Sequence, residues 1–164
     1  MTNLRYRPAL AWVAAVGASA FVADVAAQQP EPLASADFVV ARLSEGLDST
    51  AVQERLGAPD SVTVIDHPHD VGGTLATWCY PHLLAAYGRT GRLVGVTLTD
   101  STYTTHRGLR VGDTSNRVRE LYGVPSPGAA GEWRYHAQDS HLHAVVITIA
   151  GDRVVSVFLG WLLD

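Results

Sequence analysis

The chain is poor in cysteine and contains no lysine. It has a single cysteine, Cys79, in 164 residues, and none of its 12 basic residues is a lysine. One cysteine cannot form an internal disulfide, so the folded part has to be held together by its hydrophobic core. Cys79 lies between Trp78 and Tyr80 in an apolar stretch, where a thiol usually packs as a small hydrophobic group.

The first 27 residues have the features of a cleavable secretory signal peptide. Two arginines and no acid precede an apolar run over residues 9–22, which is shorter than the roughly 20 residues of a membrane span. Val25-Ala26-Ala27 then supplies small residues before a cleavage point at Gln28. We therefore expect an exported protein, periplasmic or extracellular and soluble, with no membrane span after cleavage. The position of Cys79 leaves no cysteine at that point for a lipid anchor.

The mature chain is small and mildly acidic. Removing residues 1–27 leaves 137 residues with 10 basic and 15 acidic side chains, a net charge of −5. A negative domain without a lysine or a basic run argues against a nucleic acid partner. Residues 28–35 begin Gln-Gln-Pro-Glu-Pro, a polar, proline-rich composition that predicts a flexible leader.

Two segments 66 residues apart share a pattern of glycine, a short helix, and Gly-x-Pro. Aligned without a gap, the segments match at the following pairs: Gly46 and Gly112, Val52 and Val118, Gly57 and Gly123, Pro59 and Pro125. Asp48 and Thr114 are suitable residues to cap the two helix N-termini. Gly57 and Gly123 are suitable residues to end them.

Strand-like runs follow each predicted helix. We predict strands over residues 61–66, 75–80, 82–87 and 92–99, and again over residues 133–137, 141–149 and 153–163, joined by short turns. A further helix is predicted over residues 36–43. The predicted class is α+β: two tandem repeats, residues 36–102 and 103–164, each with one or two short helices on a three-stranded antiparallel sheet and sharing one sheet or core.

These residues resemble a known family. The run Gly46…Val52…Leu56-Gly57-x-Pro59, followed by a Trp-x-Tyr strand and a closing hairpin, resembles small exported modules of the BamE/SmpA type. The tandem arrangement is similar to that of the β-lactamase inhibitor protein type, which is built from two such repeats. The resemblance implies a non-enzymatic role in binding another protein. It does not extend to a lipid anchor or to disulfides, because the cysteines for them are absent.

Histidines are the residues that suggest metal or catalytic chemistry. His141 and His143 lie two apart on one predicted strand, and His82 aligns with His141; His67 and His69 form a loop pair. Zinc and copper sites use such pairs but need three or four converging ligands, and no His-Glu-x-x-His helix or cysteine cluster supplies them. Two interpretations of His82, His141 and His143 therefore stay open: they are weak candidate metal ligands, or they are solvated or hydrogen-bonded locally. No cofactor is predicted.

Four aromatic residues offer a different kind of site. Trp78 and Tyr80 repeat as Trp133 and Tyr135, and the spacing of two places each pair on one face of its strand. One interpretation is that they pack beneath the helices. The other is that both pairs line a shared concave sheet and bind a partner, since aromatic side chains often anchor interfaces.

The sequence therefore favours an exported, non-enzymatic binding or assembly module that contacts another protein or a cell-envelope component. Two alternatives stay open: a histidine-based metal-binding protein or hydrolase, and a structural envelope protein. No Gly-x-Ser-x-Gly elbow supports a serine nucleophile.

Overall fold

The computed structural model describes residues 30–67 and 73–162. The predicted signal peptide, His69 and the last two residues lie outside the described part. The helical elements are a 3-10 helix (Ser35–Phe38) and two α-helices, α1 (Ser49–Leu56) and α2 (Ser115–Tyr122). The strands are β1 (Ser61–His67), β2 (Gly73–Cys79), β3 (Leu83–Tyr87), β4 (Leu93–Leu98), β5 (Ser126–Pro127), β6 (Glu132–Ala137), β7 (Ser140–Ala150) and β8 (Arg153–Trp161).

All eight strands belong to one antiparallel sheet in the order β1-β2-β3-β4-β8-β7-β6-β5. Strands β1 to β4 form a meander, and strands β5 to β8 form a second meander that runs back toward it. The two meanders meet where β4 pairs with β8, from Gly95 opposite Gly160 to Leu98 opposite Val157. This long-range pairing makes the sheet continuous.

The predicted fold class was wrong. The described chain is mostly one antiparallel β-sheet with two eight-residue α-helices, instead of two tandem α+β repeats with three strands each. Most strands lie close to their predicted positions. The error was in the balance of helix and sheet: each half contributes four strands instead of three, and one eight-stranded sheet makes up most of the described structure.

The two α-helices begin and end as their sequences predict. The Asp48 side chain accepts a hydrogen bond from the Ala51 N–H, and the Thr114 hydroxyl accepts one from the Arg117 N–H. Gly57 and Gly123 follow the last turns at φ of 85° and 81°, a region that favours glycine over residues with a side chain. Local residue choice therefore determines both ends of each helix.

The helix predicted over residues 36–43 was wrong beyond its first turn. A 3-10 helix occupies Ser35–Phe38, after which Ala41 and Arg42 adopt positive φ values of 52° and 63°. The chain reverses there so that Val40 and Leu43 exchange backbone hydrogen bonds. Both of these side chains are buried in the core, so tertiary burial outweighs local helix propensity.

One face of the sheet carries the hydrophobic core and is called the covered face. It presents Leu83, Ala85, Leu98, Val145, Ile147, Val157 and Leu159, all buried. Val52 of α1 and Val118 of α2 belong to the same buried cluster. The Tyr122 ring of α2 packs 5.2 Å from that of Tyr135 on β6, which places α2 over the second meander.

A buried ion pair attaches the N-terminal segment to this core. Arg107 donates to both carboxylate oxygens of Asp37 at 2.7 and 2.9 Å, and also to the carbonyls of Pro32 and Leu121. Leu33 forms a parallel bridge with Ala137. Residues 30–35, predicted as part of a flexible leader, are therefore held against the domain.

We expect Asp37→Asn to destabilise the protein by about 3–5 kcal/mol, because it leaves the Arg107 guanidinium buried without its anion. Burial alone would raise the pKa of Asp37, but hydrogen bonds from Arg107 and the Ala34 N–H outweigh burial and lower it. The stabilisation is therefore complete above pH of about 4 and is lost as pH falls through the lower native pKa. Urea unfolding of both proteins at pH 7 and pH 3 tests this: the difference should shrink at pH 3, and an unchanged difference contradicts it.

Two buried tyrosines differ in how their hydroxyls are satisfied. The Tyr122 hydroxyl donates to Thr105 at 2.9 Å, and burial raises the pKa of Tyr122 to about 12. The Tyr87 hydroxyl is buried without a hydrogen-bond partner among the described residues, and burial, with Tyr80 and Asp48 nearby, raises its pKa as well. One hydroxyl thus contributes a bond and the other only a desolvation cost.

We expect Tyr122→Phe to cost about 1 kcal/mol of unfolding free energy, whereas Tyr87→Phe should be neutral or stabilising, because a buried polar group without a partner is unfavourable. Thermal and urea unfolding of the matched pair measures the difference. Equal losses in the two variants would show that the Tyr87 hydroxyl is bonded in solution.

Candidate binding surface

The second face of the sheet has no helix over it in the described part of the chain and is called the open face. Its rows follow from the strand register: Ala86, Gly95, Gly160 and Ala144 form one row, and Thr97, Phe158, Val146 and Arg134 form the next. Antiparallel sheets usually present polar side chains on an uncovered face. Here the middle of the face is apolar.

A glycine pair shapes the centre of the open face. Gly95 and Gly160 lie directly opposite each other on β4 and β8. A Cβ atom on Gly95 would meet the Phe158 ring at 2.6 Å, and one on Gly160 would clash with the Val94 carbonyl oxygen. The Phe158 ring therefore lies over Gly95, a position that a side chain at residue 95 would block.

The open face contains a groove of about 300 Å³. Its walls and floor are mainly apolar and its rim is partly polar; the lining residues are Leu75, Ala86, Val94, Glu132, Arg134, Val146, Thr148, Phe158, Trp161 and Leu162. They come from β2, β3, β4, β6, β7 and β8 and the residue after β8. Since both meanders contribute, the groove depends on the β4–β8 pairing.

A charged pair lies on the β6 side of the groove. Arg134 donates to Glu132 at 3.0 Å, and both side chains are 31% exposed. The Nε atom of Arg134 is buried without a hydrogen-bond partner in the described structure. An arginine whose charge is balanced locally but whose donors are not all used can donate to a further hydrogen-bond acceptor.

The aromatic pairs singled out in the sequence lie away from this groove. Tyr80 and Tyr135 are buried in the core, and Trp78 and Trp133 are half-buried against it. Trp78 pairs with Ala85, and Tyr135 pairs with Val145, so all four side chains belong to the covered face. Trp133 also stacks under the Arg119 guanidinium at 4.5 Å. The structure therefore does not bring the two pairs together on an open concave sheet.

The candidate metal ligands are separated and locally bonded. His82 lies with its Nδ1 2.5 Å from Asp100. Hydrogen bonds from the Thr102 backbone and from His82 lower the pKa of Asp100 to about 2. His141 is exposed, and its carbonyl oxygen lies 2.8 Å from the His136 ring. No three histidine, cysteine, aspartate or glutamate side chains converge on a common point within residues 30–67 and 73–162.

His143 has the most structured surroundings of the histidines in the described part of the chain. Its ring is stacked between Phe38, at 3.5 Å between centroids, and Trp161, at 4.9 Å. Its Nε2 lies 2.6 Å from Glu45, which also accepts the Trp161 indole N–H at 2.7 Å. This cluster ties the 43–46 loop to the end of the sheet. Among the described residues, no serine hydroxyl or cysteine thiol is hydrogen-bonded to His82 or to His143.

The groove residues were missed in the sequence, although a signal for them exists. Strand β7 contains the uninterrupted run Ala144-Val145-Val146-Ile147, and β8 contains Val157-Phe158-Leu159. Strict alternation would leave one face polar, whereas continuous apolar runs indicate that both faces of a strand are apolar. The runs therefore indicate an apolar second face, whereas the aromatic pairs, which were the predicted surface, belong to the covered face.

Comparisons with known proteins bear on the fold. No protein-family model matches the chain, and no curated protein matches it. A solved structure that is similar to the chain is that of an extracellular protein containing a SCP domain from Bacillus anthracis, with a TM-score of 0.54 and 9% sequence identity. The match covers 81% of this chain and 48% of the other, so the chain corresponds to about half of that protein. At this identity, the likeness concerns the fold alone.

Neither α1 nor α2, nor any other helix in the described ranges, is long and apolar enough to cross a membrane.

Proposed function

We propose that the chain is an exported, non-enzymatic binding module whose open face receives another protein. The apolar groove on this face is the observation that supports the proposal. The core needs only the covered face, so Leu75, Val94 and Phe158 gain little from lying on an uncovered sheet unless a partner removes them from water.

The chemistry of the groove favours a protein partner. Its apolar lining suits an aliphatic or aromatic side chain that inserts as an anchor. The Glu132–Arg134 pair at the rim suits hydrogen-bonding groups of either charge. A net charge of −5 after removal of residues 1–27 disfavours nucleic acid. The partner expected is therefore a protein with an exposed apolar anchor next to polar groups.

The width of the sheet supports an interface larger than the groove. Stable protein interfaces bury about 800 Å² on each partner, and a groove of about 300 Å³ holds only one or two side chains. Half-buried residues beside the groove, such as the paired Leu84 and Thr97, extend the same face. The groove would be the centre of such an interface and the surrounding face its rim.

A binding role is better supported than hydrolysis or metal binding. His82 and His143 each contact a carboxylate, an arrangement that orients a general base. Neither of them lines the groove, and neither contacts a nucleophile. His82 also lies in a loop at the end of β3, whereas His143 is enclosed by two aromatic rings. Their contacts are explained by local structure.

Export follows from the predicted signal peptide. The similar solved structure is described as an extracellular protein, which is consistent with this location. The resemblance to exported binding modules in the sequence supports the same role.

Site-specific crosslinking tests the proposal. A photoreactive amino acid is placed at Thr148, which lines the groove, in an otherwise unchanged exported protein. We expect one discrete covalent adduct with an envelope or extracellular protein on illumination of the cells that produce it. Leu75→Glu in the same protein should reduce the adduct roughly tenfold or more, since a charge buried in an apolar contact costs well over about 1.4 kcal/mol.

Val124→Glu is the matched control, because Val124 is 91% exposed and does not line the groove. It should leave the adduct unchanged. Thermal melts confirm that both variants fold. An adduct that survives Leu75→Glu, or the absence of any adduct at Thr148, contradicts the proposal.

A further inference from the structure

The two edges of the sheet differ in how they meet solvent. At one edge lies β5, a two-residue strand that contains a proline. At the other lies β1, a seven-residue strand that pairs only with β2 in the described structure. Proline and short length protect an edge from pairing with another chain, whereas a long, apolar edge strand invites it.

Strand β1 exposes three β-branched apolar side chains. Val62 and Val64 are 50% and 61% exposed, and Ile65 is 44% exposed. Val62 and Val64 pair with Trp78 and Ala76 and so continue the covered face, whereas Ile65 pairs with Leu75 and continues the open face. These β-branched residues have high strand propensity. Lysine, which often guards such an edge, is absent from the whole chain.

We propose that β1 pairs antiparallel with β1 of a second copy of this chain, joining the two sheets across a two-fold axis perpendicular to them. Such an axis keeps the covered faces on one side, so Val62 and Val64 of one copy meet the same residues of the other. A register centred on Thr63 pairs Val62 of each copy with Val64 of the other and Thr63 with Thr63. The patch is therefore complementary to itself, as a two-fold interface requires.

The asymmetry of the edges predicts a closed dimer. Once β1 is paired, the only remaining edge in the described sheet is β5, which is short and contains Pro127. Growth into a fibre would need a second competent edge. Pairing of one seven-residue strand buries less than the roughly 800 Å² per partner of a typical stable interface. The dimer is therefore weak and depends on protein concentration.

The two-fold geometry also places both open faces on the same side of the joined sheet. Dimerisation and partner binding then use different parts of the molecule, so an experiment can contradict one proposal without contradicting the other. A dimer without a partner at the groove, or a groove-bound partner on a monomer, tells the two proposals apart.

Analytical ultracentrifugation of the chain lacking residues 1–27 tests the pairing over a wide concentration range. The weight-average mass should rise from that of a monomer toward twice that value. The double substitution Val62→Lys and Val64→Lys should raise the dissociation constant roughly tenfold or more, because it places charges across the two-fold axis. Both sites are at least half exposed, so the variant should fold, as a thermal melt checks.

Val155→Lys is the matched control, since Val155 is 42% exposed on β8. It should dimerise like the unchanged chain. A monomeric mass at every concentration overturns the proposal. So does dimerisation that the two lysines leave unaffected.

A crosslinking measurement provides a second, independent test. In a Cys79→Ser background, Val64→Cys should form a covalent dimer with a short bismaleimide, and Val155→Cys should form roughly tenfold less. Equal yields from the two positions would show that the copies do not meet at β1.

Discussion

The pairing of β4 with β8 is the constraint on which the rest of the structure depends. It joins residues 95–98 to residues 157–160, far apart in the chain, through four residue pairs. The Gly95–Gly160 pair allows the two backbones and the Phe158 ring to approach closely. Without this contact, β4 and β8 would each be an unpaired edge strand of its own meander. The covered face would then lose the continuity that buries Leu98, Val157 and Leu159.

This contact also explains which parts of the structure could be predicted. The strands, turns and caps depend on neighbouring residues, so Asp48, Thr114, Gly57 and Gly123 could be identified from their own surroundings. The association of the strands depends on contacts between residues some 60 positions apart. Hydrophobic periodicity is a local pattern and does not indicate which distant strands pair. A glycine within a strand often marks a close approach of another backbone. Gly95 and Gly160 were therefore the local hint of where the two meanders meet.

The candidate surface was harder to predict than the fold for a related reason. Aromatic residues attract attention as anchors, yet Tyr80 and Tyr135 serve the covered face, where each buries a large apolar area beneath or beside a helix. The groove instead uses Val94, Val146 and Phe158, residues that look like ordinary core. Only the position of the helices decides which apolar face is covered. The sequence indicates two apolar faces, but the three-dimensional packing decides which of them stays open.

The scarcity of lysine connects these features. A sheet with an apolar open face and one long apolar edge carries two surfaces on which proteins usually place charged, flexible side chains. All basic residues of this chain are arginines, and three of them are engaged: Arg107 with Asp37, Arg134 with Glu132, and Arg119 with the Trp133 ring. A planar guanidinium bonded in this way fixes a structure, whereas a lysine ammonium on a free stem keeps a surface solvated. The engaged arginines of this domain therefore stabilise the fold, and the open face and strand β1 are the surfaces on which we propose contacts with other chains.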